Sequence, residues 1–204
     1  MSYDPLRDGE LAAVVTFLEM TDRPTMDIPP STLRLRRMNP PMLDDYRALF
    51  RRVGARWLWF SRLLREDASL ATIVHDPQVH VFAVADATGA EVGLLELDYR
   101  ETHSCELAFV GLVPELSGQG HGRWLLAEAI QRAWRPGVTR VHVHTCSLDH
   151  PAAISAYQRA GFTPFKRAIE RFPDPRLLGI LPVSCAPQLP LLGTPASASP
   201  RPAS

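Results

Sequence analysis

The sequence predicts a mixed α/β domain with a mostly antiparallel sheet, one parallel pair of central strands and flanking helices. Three observations predict it. Short β-rich segments alternate with runs whose apolar residues recur at three- and four-residue steps. Two segments, Glu91–Arg100 and Cys105–Val113, are separated only by the polar link Glu101–Ser104, as in an antiparallel hairpin. The second of these reaches a further strand, Val138–Cys146, through a helix. A helical crossover makes that pair parallel.

Each element has its own signature. Val14-Val15-Thr16-Phe17-Leu18 reads as the first strand, and Pro24, Pro29, Pro30, Pro40 and Pro41 punctuate the segment after it. Residues 41–75 read as helical, with Leu43, Tyr46, Leu49, Phe50 and Val53 on one face and a second apolar group at Trp57, Leu58, Phe60, Leu63 and Leu64. Val79–Asp86 is β-rich and ends at the turn Ala87-Thr88-Gly89. After the hairpin, Gly120–Trp134 is a helix stopped by Pro136-Gly137. Pro151–Ala160 is another, with Pro151 suited to its first position and Gly161 to the position just past its end. Thr163–Phe172 closes as a strand.

Residues 1–172 form one domain on this reading, with its motifs concentrated in 79–172. Residues 173–204 form a proline-rich extension, eight prolines in 32 residues. Its apolar part, LLGILPVSCAPQLPLL, is expected to lie against the domain, and its low-complexity end, TPASASPRPAS, to be disordered.

Composition excludes several classes. The 22 basic and 22 acidic side chains cancel, so the chain lacks the positive excess that nucleic acid binding requires. No apolar run approaches the ~18 residues of a membrane-spanning helix. The opening MSYDPLRDGE carries charge where a secretory signal needs an apolar stretch, so a cytoplasmic location away from membranes is expected. Cys105, Cys146 and Cys185 are odd in number and lack CxxC spacing, against a disulfide framework or a cysteine zinc site.

The informative segment is Leu112-Val113-Pro114-Glu115-Leu116-Ser117-Gly118-Gln119-Gly120-His121-Gly122-Arg123. A strand ends, a loop carries three alternating glycines, and a helix begins. Such a loop brings backbone N–H groups close to an anion at a helix N-terminus. The plain alternative is a tight turn with close helix–strand packing. A dinucleotide fingerprint would run Gly-x-Gly-x-x-Gly, and a phosphate-binding P-loop needs Gly-Lys-Ser/Thr; neither is present.

The run CELAFVGLVPELSGQGHGRWLLAEAI, followed by DHPAAISAYQRAGF, resembles the core of the GNAT superfamily of acyl-CoA-dependent N-acetyltransferases. The family loop Arg/Gln-x-x-Gly-x-Gly/Ala is met at Gly120 and Gly122, with Ser117 at its first position. The second family pattern, Asn-x-x-Ala-x-x-x-Tyr then Gly-Phe, is met at Ala153, Tyr157, Gly161 and Phe162, with His150 in place of Asn. The resemblance implies that the parallel strands 105–113 and 138–146 splay into a cleft. It implies acetyl-CoA as cosubstrate, its pantetheine arm along Gly111, Leu112 and Val113. The pyrophosphate would lie over Ser117, Gly118, Gln119, Gly120, His121, Gly122 and Arg123, with His150 at the second motif.

Amine acetylation needs a proton taken from the ammonium, an oxyanion donor and a proton given to the departing thiolate. A backbone N–H near Leu112 is expected as oxyanion donor. Tyr157, at the family's tyrosine position, is the expected acid, against a structural aromatic. Glu106 is the expected base, eight residues before Pro114 where some members carry a glutamate, against a structural ion pair. In strict alternation it shares a face with Ala108, Val110 and Leu112. Glu96 and Asp98 could cluster with it and raise its pKa. His142, His144 and Cys146 face one way, without partners for a metal; His144 could relay a proton through water. Trp57, Trp59 and Phe60 read as core packing ahead of a substrate wall. The reading is an acetyltransferase acting on a small-molecule or peptide amine, compatible with a homodimer. Its rival is a non-catalytic acyl-CoA sensor.

Overall fold

A computed structural model describes residues 3–193, so the end of the proline-rich extension, with its expected disorder, lies outside the described residues. Seven strands form one sheet: β1 (Glu10–Met20), β2 (Arg34–Met38), β3 (Val79–Ala85), β4 (Glu91–Asp98), β5 (Ser104–Leu112), β6 (Arg140–Cys146) and β7 (Thr163–Pro173). Their spatial order is β2-β3-β4-β5-β6-β1-β7. Every neighbouring pair is antiparallel except β5 and β6. The helical crossover therefore has the predicted consequence.

β2 carries no apolar run that would predict a strand. Its sequence, Arg-Leu-Arg-Arg-Met, pairs with β3 at the sheet's edge, where charge guards exposed backbone against foreign strands. The stretch 41–75 is likewise not one helix. It forms α1 (Leu43–Gly54) and α2 (Asp67–Val74), separated by a 3-10 turn over Ala55–Trp57 and an irregular segment. Leu58 ends that turn in a left-handed conformation, φ 55°, which turns the chain back toward the sheet.

The sheet carries a core on each face. On one, α3 (His121–Ala133) presses Trp124, Leu125, Ala129 and Ile130 onto Leu95, Leu97, Leu107, Val141 and Val143. On the other, Tyr46, Leu49, Phe50 and Val53 of α1 meet Val81, Ala83 and Leu94. Full burial of each such apolar side chain contributes roughly 1.5–3 kcal/mol. No helix among the described residues is long and apolar enough to cross a membrane.

The part of the extension that is described does lie against the domain. Leu181 and Ala186 pack with Leu58, and Phe60, Leu63 and Leu148 lean on that cluster. Arg176 locks the extension from inside. It is 2% exposed, pairs with Asp174 and donates to the carbonyls of Cys185, Ala186 and Leu189.

Candidate active site

The site begins where two strands part. β5 and β6 pair only at Ser104↔Arg140, Cys105↔Val141 and Glu106↔His142. Beyond that point β5 stays with β4, through Gly93↔Leu112, while β6 stays with β1, through Val15↔Cys146. The strands diverge, and a cleft of about 500 Å³ opens between them. Backbone direction alternates along a strand. Val113 donates its N–H to Val92 O of the neighbouring chain segment at 2.9 Å, and Gly111 O also points toward β4. By alternation, Val110 and Leu112 turn their N–H and C=O groups to the cleft. Of the three residues expected along the pantetheine, Leu112 thus has free backbone there, with Val110 beside it.

A bulge changes which side chains share a face. Glu96 pairs with Phe109 but Leu97 with Leu107, so Ala108 is the extra residue. Leu107 packs toward α3 and Phe109 toward α1. Glu106 consequently lies on the α1 face with Phe109 and Gly111, and not with Val110 and Leu112 as strict alternation predicts.

The glycine loop is open. Gly118 and Gly120 have φ of +79° and +83°, and a Cβ at either position, or at Gly122, would meet nothing within 4 Å. Close helix–strand packing is therefore not what these glycines serve. The N–H groups of His121 and Gly122, at the start of α3, face that open space. Ser117, Gly118, Gly120, Gly122 and Arg123 line the cleft. The side chains of two other loop residues turn elsewhere: Gln119 donates to Glu115 O at 2.9 Å, and His121 Nδ1 lies 3.1 Å from Ser31 Oγ.

Past β6 the chain forms α4 (Ala153–Arg159), which starts two residues after Pro151, and Gly161 follows it at φ +102°. Tyr157 and His150 both line the cleft. Burial pushes the Tyr157 phenol well above its ordinary pKa, with a smaller push from the nearby Asp149 carboxylate. His150 accepts the Ala152 N–H at 3.1 Å and meets the Trp57 ring edge-on, with centroids 5.2 Å apart.

Glu106 pairs with His144, with Nδ1 to Oε1 at 3.0 Å. That bond holds the Glu106 carboxyl below the ordinary carboxylate range, outweighing burial, and raises His144 above the ordinary histidine value. The expected upward shift of Glu106 is reversed because the hydrogen bond to His144 outweighs burial and the nearby Asp98 carboxylate. Glu96 and Asp98 have partners of their own. Glu96 is fully buried and bonded by Tyr46 Oη and Arg62 Nη2, each at 2.5 Å. Asp98 faces Glu106 across the register but is clasped by Arg100 Nε at 3.0 Å. His142 sits against Glu101, 3.3 Å away, leaving His144 as the β6 histidine on the cleft, which His150 also lines. Burial pushes the Cys146 thiol up to about 11, which makes it a poor nucleophile.

Residues 41–162 match the acetyltransferase (GNAT) family, and this span holds both motifs and the splayed strand pair. The chain belongs to the GNAT acetyltransferase family. Solved structures share the fold. A GCN5-related N-acetyltransferase from Sphaerobacter thermophilus is 18% identical, with a TM-score of 0.56, over 81% of this chain and 52% of its own. The chain thus spans about half the length of that protein. A spermidine N-acetyltransferase from Vibrio cholerae, in complex with CoA and spermine, is 21% identical over 70% of this chain and 94% of its own, with a TM-score of 0.55. An aminoglycoside acetyltransferase from an uncultured soil metagenomic sample is 18% identical over 68% of this chain and 93% of its own, with a TM-score of 0.54. No curated protein matches significantly.

One part of this GNAT cleft had no sequence signal. Asp149 binds the end of β6 and the aromatic segment together. It accepts from Thr145 Oγ1 at 2.7 Å, Cys146 N at 2.8 Å and Trp59 Nε1 at 3.1 Å. The aromatic segment itself serves both readings weighed for it. Trp59 packs on Phe50 and Phe109, yet Trp57, Trp59 and Phe60 all line the cleft. Gly111 lets Trp59 approach, since a Cβ there would fall 2.9 Å from the ring.

Proposed function

We propose that this protein transfers acetyl from acetyl-CoA to a primary amine by direct attack. The observation that carries the proposal is the convergence on one cleft of the open glycine loop, Tyr157 and His144, whose ring is bonded from behind by Glu106. The loop fits the cosubstrate: its glycines leave room that a Cβ would fill, and free N–H groups at a helix start suit a pyrophosphate. When bound, acetyl-CoA supplies the thioester carbonyl that the amine attacks.

The chain's own groups divide the remaining work. Val110 and Leu112 hold the pantetheine by strand-like bonds, and a backbone N–H at Leu112 is placed to stabilise charge on the thioester oxygen. His144 takes a proton from the ammonium, directly or through one water, while Glu106 orients its ring and steadies the imidazolium. The logic is that of a base with an orienting carboxylate. Tyr157 gives its proton to the thiolate, whose pKa is lower than the phenol's. Acetyl-CoA with a panel of amines, read by free thiol, tests the proposal. Release with an amine establishes transfer; binding of acetyl-CoA without release from any amine would leave an acyl-CoA sensor.

A further inference from the structure

On β7, Glu170 and Phe172 lie two residues apart and so on one face, and both line the cleft. Phe172 stacks obliquely on Phe60 with centroids 5.0 Å apart, and Trp57 lies on the same side. The wall is fixed from behind, since Phe60 leans on the cluster of Leu58, Leu181 and Ala186. A broad apolar surface therefore stands beside a single carboxylate.

Several charged groups around that wall are engaged, and Arg123 and Arg159, which also line the cleft, stand on α3 and α4. Arg62 is bound to buried Glu96, Lys166 Nζ lies over the Phe17 ring, and Arg56 lies over Trp57. Asp149 is occupied by three donors, and Glu106 by His144. Glu170 is exposed and forms no ion pair among the described residues. It still lies close enough to favour the charged form of His144.

We propose that Glu170 anchors the ammonium of the acceptor, and that the acceptor is a monoamine with a flat apolar body. This inference rests on the transferase reading above. A polyamine would bring further charges to a wall with one free carboxylate. An amino acid would bring a carboxylate to an aromatic wall beside Glu170 itself. Burying either unpaired charge against aromatic rings is costly. A phenyl or similar ring on a short alkylamine satisfies both the wall and the anchor.

Steady-state kinetics at saturating acetyl-CoA test it with three probes: 2-phenylethylamine, phenylalanine, which adds a carboxylate, and spermidine, which adds charges. The kcat/KM for 2-phenylethylamine should exceed that of each other probe by at least roughly tenfold. Glu170→Gln, at an exposed position, should raise its KM roughly tenfold while kcat and the KM for acetyl-CoA stay within about twofold. A preference for spermidine or phenylalanine, an unmoved KM in Glu170→Gln, or no thiol release from any probe overturns the inference. The acetyl-CoA-induced melting shift is read separately. Its presence with the wrong acceptor order removes this inference alone; its absence removes the transferase reading as well.

Discussion

His144 Nδ1 lies 3.0 Å from Glu106 Oε1, one alternation beyond Glu106↔His142, the last register pair before β5 and β6 part. The position matters as much as the distance. A residue earlier, both groups would be enclosed between paired strands; further along, the strands are too far apart for the bond. The pair thus couples the fork of the sheet to the cleft, with Glu106 toward the joined end and His144 toward the open one.

Activity should follow the charge of His144. Glu106 raises the His144 pKa, so the imidazolium persists to higher pH than the ordinary value near 6.5. The stabilising contribution of His144 is complete below that ordinary value and fades as pH rises through the raised one. That of Glu106, whose pKa is lowered, is present above the ordinary carboxyl value near 4.3 and fades as pH falls through the lowered one. With His144 as the proposed base, catalysis requires it neutral, so kcat/KM should climb on an acidic limb above pH 6.5 as the pair loosens. In Glu106→Gln that limb should move to lower pH, with a plateau reduced roughly tenfold by the lost orientation. A limb that stays where it was would show that Glu106 does not govern the base.

Tyr157→Phe should lower kcat by roughly 10²–10⁴-fold, since the ring remains and only the proton donor is lost. Acetyl-CoA affinity, measured by calorimetry, should hold. Because burial raises the phenol pKa, the wild type should keep this acid to strongly alkaline pH. Undiminished kcat at saturating substrates would assign Tyr157 to anchoring α4 through its edge contact with Phe162.

The regular parts of this fold were legible because they obey short-range rules. Val79–Ala85, the hairpin over β4 and β5, α3 and the parallel relation of β5 to β6 all follow from periodicity and connection length. What escaped is set by long-range pairing. Arginine-rich β2 is a strand only because β3 offers it an edge. The Ala108 bulge is invisible in one strand's sequence, yet it decides which face Glu106 shares. The same holds for charge: Glu96, Asp98 and Glu106 look like one acidic group in sequence, but Arg62, Arg100 and His144 separate them in space. Asp149 carried no signal, since one of its three donors, Trp59, stands 90 residues away in sequence. In contrast, the glycine loop and Tyr157 were recognisable, because a backbone cradle depends on adjacent residues.

Gly120→Asp should abolish the rise in melting temperature caused by acetyl-CoA. Ligand at a hundred times its Kd would stabilise the wild type by about 2.7 kcal/mol. The aspartate places a negative charge in open space at the helix start, where a pyrophosphate would have to sit. Its φ of +83° also costs an L-residue roughly 1–2 kcal/mol. Gly120→Ala separates the two effects. It should lower the basal melting temperature similarly but keep part of the ligand-induced rise. Equal rises in wild type and Gly120→Asp would place the cosubstrate elsewhere.

Arg176→Met should cost about 3–5 kcal/mol, the loss seen when one member of a buried ion pair is removed. The side chain is 1% exposed, and Asp174 beside it 2%. Methionine fills much of the volume but leaves the Asp174 carboxylate and the carbonyls of Cys185, Ala186 and Leu189 without their donor. Burial alone would raise the Asp174 pKa, yet the bonds from Arg176 outweigh it and hold it low. The pair therefore stabilises the wild type above the ordinary carboxyl value, and the gain fades as pH falls through the lowered one. Urea unfolding at pH 7 and again near pH 3 should show the gap between wild type and variant narrowing in acid. The damage should also reach the cleft, because Leu181 and Ala186 support Leu58 and the segment bearing Phe60. Amine KM should rise in Arg176→Met, while acetyl-CoA affinity, which the proposal assigns to the glycine loop, should change little. An equal loss of both affinities would mean that the substitution disturbs the whole sheet and that the extension has no separate role in shaping the acceptor wall.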